Sequence, residues 1–179
     1  LGVSKAIIGV ENNKPDAIRL MTEKASQYKG IQVVPLKVKY PQGGEKQLIK
    51  AATGREVPSG ALPIAVGCVV SNVGSAFAVY EAVQKNKPLF ERVVTITGKS
   101  VQNPANLKVR IGTAVSELIA AVGGLPEDTG KVISGGPMMG KALANVDVPV
   151  TKGTSGILMI PAKEARRHEV QPCIRCSRC

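Results

Sequence analysis

The sequence predicts an α/β chain in two successive parts, a parallel βαβ unit with its continuation and then a smaller α+β module. Three observations point there. Over the first half, short runs rich in Val and Ile, the pattern of strands buried in a parallel sheet, alternate with helical periodicity. After Pro88 the texture changes to strands gathered around one helix. The last seven residues then carry three cysteines at a constant pitch, which sets a third, short segment apart from both.

Residues 3–10 contain Ala6-Ile7-Ile8-Gly9-Val10 and predict the first strand. Glu11-Asn12-Asn13-Lys14-Pro15 is a turn. Pro15 suits the first turn of a helix, Asn13 offers a cap, and Asp16 complements the positive helix end. Ala17, Leu20, Met21, Ala25 and Tyr28 recur at helical spacing, and Gly30 is expected to end that helix. Residues 31–38 form a second strand interrupted by Pro35, so the unit should pair parallel through a right-handed crossover. Next comes Tyr40-Pro41-Gln42-Gly43-Gly44-Glu45-Lys46-Gln47-Leu48-Ile49, two glycines opening a short helix directly after a strand. α/β folds place ligands at such edges, because the backbone allows close approach and helix N–H groups face outward; a plain turn reads the same way. A Gly/Pro-rich loop over 54–63 leads to a third buried strand at 67–71 and a helix over 75–84 with Ala76, Val79, Tyr80 and Val83 on one face. Asn72, between them, is either a ligand edge or a helix cap.

In the second part, 92–98 is a strand, 103–107 a loop and 108–111 an alternating, half-buried strand. Gly112-Thr113 starts a helix through Val122, with Thr113-x-x-Ser116-Glu117 as its cap and acidic first turn. Gly123-Gly124 stops it. Residues 131–134 form a strand, Gly135-Gly136-Pro137-Met138-Met139-Gly140 a tight and unusual loop, and 156–160 a last strand before Pro161 and the basic Lys163-Glu164-Ala165-Arg166-Arg167. This order is most like a β-grasp.

Composition narrows the partners. With 179 residues the chain can bury one sizeable core or two small ones. Trp is absent and aromatics are 3%, so the core must be aliphatic. The net charge of +11 attracts nucleic acid, anionic lipid or acidic protein. Base-stacking platforms need aromatics, so an acidic protein or anionic ligand is at least as well served, and no nucleic acid is expected. The start has neither the charged region nor the apolar run of a signal peptide, and no stretch is long and apolar enough for a membrane span. Cys68, in the apolar Gly67-Cys68-Val69-Val70, reads as a small buried hydrophobe.

Cys173, Cys176 and Cys179 stand three residues apart in Cys173-Ile174-Arg175-Cys176-Ser177-Arg178-Cys179. Two intervening residues let the backbone turn and bring sulfurs to one side of a metal centre. Ferredoxin-type clusters use C-x2-C-x2-C-x3-C-P, whereas zinc sites use separated C-x2-C pairs. The immediate repetition favours iron–sulfur. A zinc site with His168 as fourth ligand, stabilising a nucleic-acid binder, is the lesser alternative. The motif reads as cut short, and the chain as an internal piece of a longer protein.

With these motifs in order, the chain resembles the C subunit of the Rnf electron-transport complex, a family related to the flavin-carrying, NADH-binding subunit of respiratory complex I. The resemblance covers essentially all 179 residues. It rests on the 40–49 stretch, on Val70-Ser71-Asn72-Val73-Gly74-Ser75-Ala76, on Gly135-Gly136-Pro137-Met138-Met139-Gly140, on Pro149-Val150-Thr151-Lys152-Gly153-Thr154, and on the cysteines.

The resemblance implies a partial Rossmann-like flavin-binding domain over 1–90, a β-grasp domain of the soluble-ligand-binding type over 91–148, a return strand and linker over 149–170, and the start of a ferredoxin-like segment over 171–179. It implies FMN, NAD(H) and 4Fe-4S clusters in the parent protein. Gly43, Gly44 and Glu45 match the segment near flavin and nicotinamide, and Asn72 the strand-end Asn at the flavin. Where complex I has an acidic residue after Asn-Val, this chain has Gly74, so only Asn72 transfers. Cys173, Cys176 and Cys179 become 4Fe-4S ligands whose set is incomplete here, and the family's Gly-rich flavin loop precedes Leu1. The implied partners are other subunits of a membrane complex and a ferredoxin-like carrier, at the cytoplasmic face of the bacterial inner membrane. The alternative is a non-catalytic β-grasp module that binds a ligand or docks.

Overall fold

The structure is a computed structural model describing residues 3–165, 172 and 175. It divides into two compact units, Leu1–Asn72 and Val73–Cys179.

In the first unit, β1 (Ala6–Glu11) and β2 (Ile31–Leu36) pair parallel from Ala6↔Ile31 to Glu11↔Leu36. The crossover is α1 (Pro15–Ala25), with Pro15 in its first turn as expected. Two expectations differ. Lys14, not Asn13, is the N-cap, and no side chain caps the helix. Nor does Gly30 end it: α1 stops at Ala25, and Gly30 takes φ 88 just before β2 with its Cα hydrogens facing Ser4 O, where a Cβ would lie 2.6 Å away. Pro35 stays inside β2, opposite Val10.

Helix α2 (Glu45–Thr53) buries Ile49 and packs Leu48 over Gly9, where a Cβ would stand 3.0 Å from Leu48 Cδ1. Gly54, left-handed at φ 73, closes α2 by donating to Lys50 O at 2.9 Å. The expected buried strand at 67–71 does not form. A 3-10 turn, Pro63–Val66, ends in left-handed Gly67, and Val69 is 73% exposed. The Arg55 guanidinium donates to Val66 O at 2.8 Å and holds this turn. Periodicity cannot separate a short apolar run of this kind from a strand.

The second unit opens with α3 (Val73–Lys85), none of whose residues is buried. It continues through β3 (Glu91–Gly98), β4 (Ala105–Arg110), α4 (Val115–Ala121), β5 (Thr129–Ser134), the two-residue β6 (Lys141–Ala142) and β7 (Gly156–Pro161). The sheet order is β4-β3-β7-β5-β6. Only the β3–β7 pairing is parallel, running from Thr95↔Gly156 to Gly98↔Met159. A mixed sheet with first and last long strands parallel at its centre, closed by one helix, is the β-grasp arrangement expected.

Helix α4 drives Val115, Leu118 and Ile119 onto Val94, Ile96, Val132, Ile157 and Met159. Each such side chain contributes about 1.5–3 kcal/mol of transfer free energy. Its cap differs from the expected Thr113 box. Glu117 Oε1 accepts from Ala114 N at 3.4 Å, and the remaining first-turn donors reach a distant segment: Val115 N to Val148 O and Ser116 N to Val146 O, both 2.9 Å. Long-range carbonyls thus satisfy the N–H groups that a helix start leaves unpaired.

Lys87 ties the end of α3 to the sheet. Its Nζ lies 2.8 Å from Glu81 and 2.5 Å from Glu91, and Lys108 on β4 reaches Glu91 at 2.6 Å. The hydrogen bonds that Lys87 donates to Glu81 and Glu91 push its pKa up. Those from Lys108 and Lys87 hold the Glu91 carboxyl down.

Candidate functional site

Gly43, Gly44 and Glu45 lie where the chain leaving β2 tightens into α2. Gly44 N donates to Pro41 O and Leu48 N donates to Gly44 O, both at 2.8 Å. Gly44 is the N-cap, with φ −64 and ψ 140, and no side chain caps α2. Gly44 sits tightly in the turn: a Cβ there would stand 2.5 Å from Oε1 of the flexible Gln47 side chain and 3.1 Å from Pro41 O, so both neighbours would have to give. Gly43 is different. A Cβ there meets nothing within 4 Å, and its φ is not left-handed. Nothing among the described residues demands glycine at 43, which leaves room for a group to approach the backbone.

An uncapped helix start presents N–H donors and partial positive charge. Glu45, exposed in the first turn of α2, already places a carboxylate there. It competes with any external anion, so this edge suits an uncharged hydrogen-bonding group better than a phosphate. Beside it a hollow of about 460 Å³ is lined by Gln42, Lys46, Gln47, Lys50, Ala51, Glu56 and Val57. Its cations are engaged. Lys46 Nζ donates to Pro58 O at 3.2 Å, and Lys50 Nζ lies 2.5 Å from Glu56, whose carboxyl is held below its ordinary value by that hydrogen bond and by the charge. Asn72 is the last residue of the first unit, exposed and directly before α3, and is not among those lining the hollow.

Cys173, Cys176, Cys179 and His168 lie outside the described residues. Among the described residues no group of three His, Cys, Asp or Glu could hold a metal. Cys68 is half-buried, its Sγ 3.6 Å from Val66 O. No helix among the described residues is long and apolar enough to cross a membrane.

A second cavity has no counterpart in the sequence pattern. A groove of about 330 Å³ in the second unit runs along Thr95 and Thr97 of β3, Gly135 to Pro137, and Ser155 to Leu158. The odd 135–140 loop is visible in the sequence, but its wall on β3 arises from pairing strands some sixty residues apart, Thr95 with Gly156.

The chain thus carries a parallel βαβ unit with a glycine-opened helix and, following it, a β-grasp. The comparisons agree: the family model of the Nuo51 FMN-binding domain matches residues 1–81, and that of the SLBB domain matches 93–142. The C subunit of the proton-translocating ferredoxin:NAD(+) oxidoreductase complex of Clostridium ljungdahlii is 50% identical over 179 residues, covering 100% of this chain and 39% of that protein. The C subunit of the Na(+)-translocating complex of Acetobacterium woodii is 47% identical over all of this chain and 40% of its own length. That of the ion-translocating oxidoreductase complex of Rhodobacter capsulatus is 47% identical, over 35% of its length. Over its whole length the chain is similar to the C subunits of these complexes, and it spans about two fifths of the relatives' length.

Proposed function

We propose that the chain is part of an electron-transfer subunit that passes electrons between NAD(H), FMN and 4Fe-4S clusters, within a complex coupling ferredoxin–NAD oxidoreduction to ion translocation. What carries this reading is the pairing of the two domain matches in order with relatives that match the whole chain.

Residues 1–90 form the flavin-domain portion and 91–148 the β-grasp. Helix α3 supports the first assignment: Val73, Phe77 and Val83 are 68%, 57% and 71% exposed, as on a helix whose apolar faces belong to a larger core. The flavin match also runs through α3 to residue 81. FMN, when bound, would supply the exchange between two-electron and one-electron chemistry. Gly43 leaves space for a ring or nicotinamide to approach, Glu45 accepts a hydrogen bond from it, and Asn72 offers an amide to the flavin. The carboxylate of Glu45 assigns phosphate binding to residues other than 43–45. Cys173, Cys176 and Cys179 ligate a 4Fe-4S cluster with a further ligand from elsewhere in the protein. The subunit sits on the cytoplasmic face of the bacterial inner membrane beside other subunits, and its net charge of +11 steers an acidic ferredoxin-like carrier. Residues 1–179 alone are inactive.

The test is to reconstitute the full-length subunit and residues 1–179 anaerobically with FMN, iron and sulfide, and to record visible spectra. Flavin and cluster bands are expected in the full-length protein only. Stoichiometric FMN on the shorter chain would overturn the reading that a Gly-rich loop outside residues 1–179 is needed to hold the flavin.

A further inference from the structure

The five-stranded sheet has one covered face and one bare one. Val94, Ile96, Val132, Ile157 and Met159 point into the core around α4. Alternate residues point the other way. Among the described residues, the 135–140 loop folds onto that second face. Gly140 lies so close to Ile133 Cγ2 that no Cβ fits between them, and Ile133 is 7% exposed without belonging to the α4 core. Between loop and strands runs the groove, walled by Thr95, Thr97, Gly136, Pro137, Gly156 and Leu158.

Beyond the loop the face remains open, with Val93 61%, Met138 67% and Met139 81% exposed. Three of its four strand-borne charges are positive. In register with outward Val93, Glu91 and Ile160 stand Lys108, Arg110 and Lys131. The one acid, Glu91, is already held by Lys87 and Lys108. Arg110 and Lys131 have no carboxylate within ion-pair distance among the described residues. The face therefore sets an apolar groove beside two cations that make no ion pair among the described residues. No Phe or Tyr occupies the five strands, so nucleic-acid bases would find nothing to stack on.

We propose that this outer face docks another subunit of the complex, through an acidic segment that places an apolar side chain in the groove and carboxylates opposite Arg110 and Lys131. Met138 and Met139 form a lip that adapts to the incoming surface, as unbranched thioethers do. The inference rests on the reading of the chain as part of a multi-subunit assembly.

The experiment uses the full-length subunit and the remainder of the complex purified without it, and measures their affinity. Arg110→Glu combined with Lys131→Glu, and separately Met139→Asp, alter side chains of this face, Arg110 and Met139 exposed and Lys131 half-buried; a thermal melt checks that each variant folds. Each is expected to weaken binding at least about ten-fold, with the charge variant also flattening the dependence on salt. Lys5→Glu, a single charge reversal on the other unit, is expected to leave affinity within about two-fold. Wild-type affinity in both test variants would overturn the proposal. So would loss of self-association instead, since the occupant would then be a second copy. NADH oxidation by the isolated full-length subunit with an artificial acceptor is followed in parallel. It reports on the electron-transfer reading alone, so a silent assay counts against that reading while the affinities still decide the surface.

Discussion

The two units use the same aliphatic alphabet and end in different states. Among the described residues, the first buries only Ala25 and Ile49, whereas the second gathers a core cluster of eleven buried residues. The cause is topological. A parallel pair of strands has two faces and two edges to cover, and a two-stranded sheet cannot cover them from its own residues. The β-grasp turns α4 onto a five-stranded sheet and locks the first and last long strands side by side. Helical and strand periodicity mark most elements in both units, and closure is left to the topology.

The sharpest test of that contrast is a matched truncation. Ile157→Ala should cost about 2–5 kcal/mol in urea unfolding of the second unit, since Ile157 is fully buried among core neighbours. Ile49→Ala should fall at or below the low end of that range, because its thinner surroundings can relax. Equal losses would break the comparison. Gly98→Ala comes next. A Cβ there runs into the backbone oxygen of Met159 on the neighbouring strand, which cannot swing aside, and about 1–3 kcal/mol of overpacking is expected. A smaller effect is expected from Glu91→Gln. Because Lys108 and Lys87 hold the Glu91 pKa down, the stability it contributes is present above the ordinary carboxylate value of 4.5 and is lost as pH falls through the lowered one. Melting midpoints should therefore fall on acidification more steeply in wild type than in the variant. The smallest effect belongs to Gly43→Ala, within about 0.5 kcal/mol by thermal melt, while FMN affinity of the full-length subunit drops.

Much of the fold is legible in the sequence because it is local. Val and Ile runs mark the strands of both units, Pro15 marks the start of α1, and Gly123-Gly124 ends α4. What is illegible depends on partners far along the chain. The first turn of α4 is satisfied by carbonyls of Val146 and Val148, so a search for a local box settles on Thr113. Residues 67–71 have strand composition, yet Arg55 and left-handed Gly67 hold a turn there. At the candidate flavin edge the residue types announce a ligand approach. That Gly43 is free while Gly44 is committed to the turn emerges only in three dimensions.

The parallel pairing of β3 with β7 has a mechanical consequence. Glu91 and Pro161 lie at opposite ends of the sheet, roughly 30 Å apart at about 3.3 Å per residue. Tension applied through those two points would load the β3–β7 hydrogen bonds in shear, all at once, where a hairpin would unzip one bond at a time. Arg92 adds a tie by donating to Lys152 O, and Thr154 Oγ1 accepts from Thr151 N at 3.0 Å, bracing the turn that leads into β7. The module is thereby built to resist tension applied along that line.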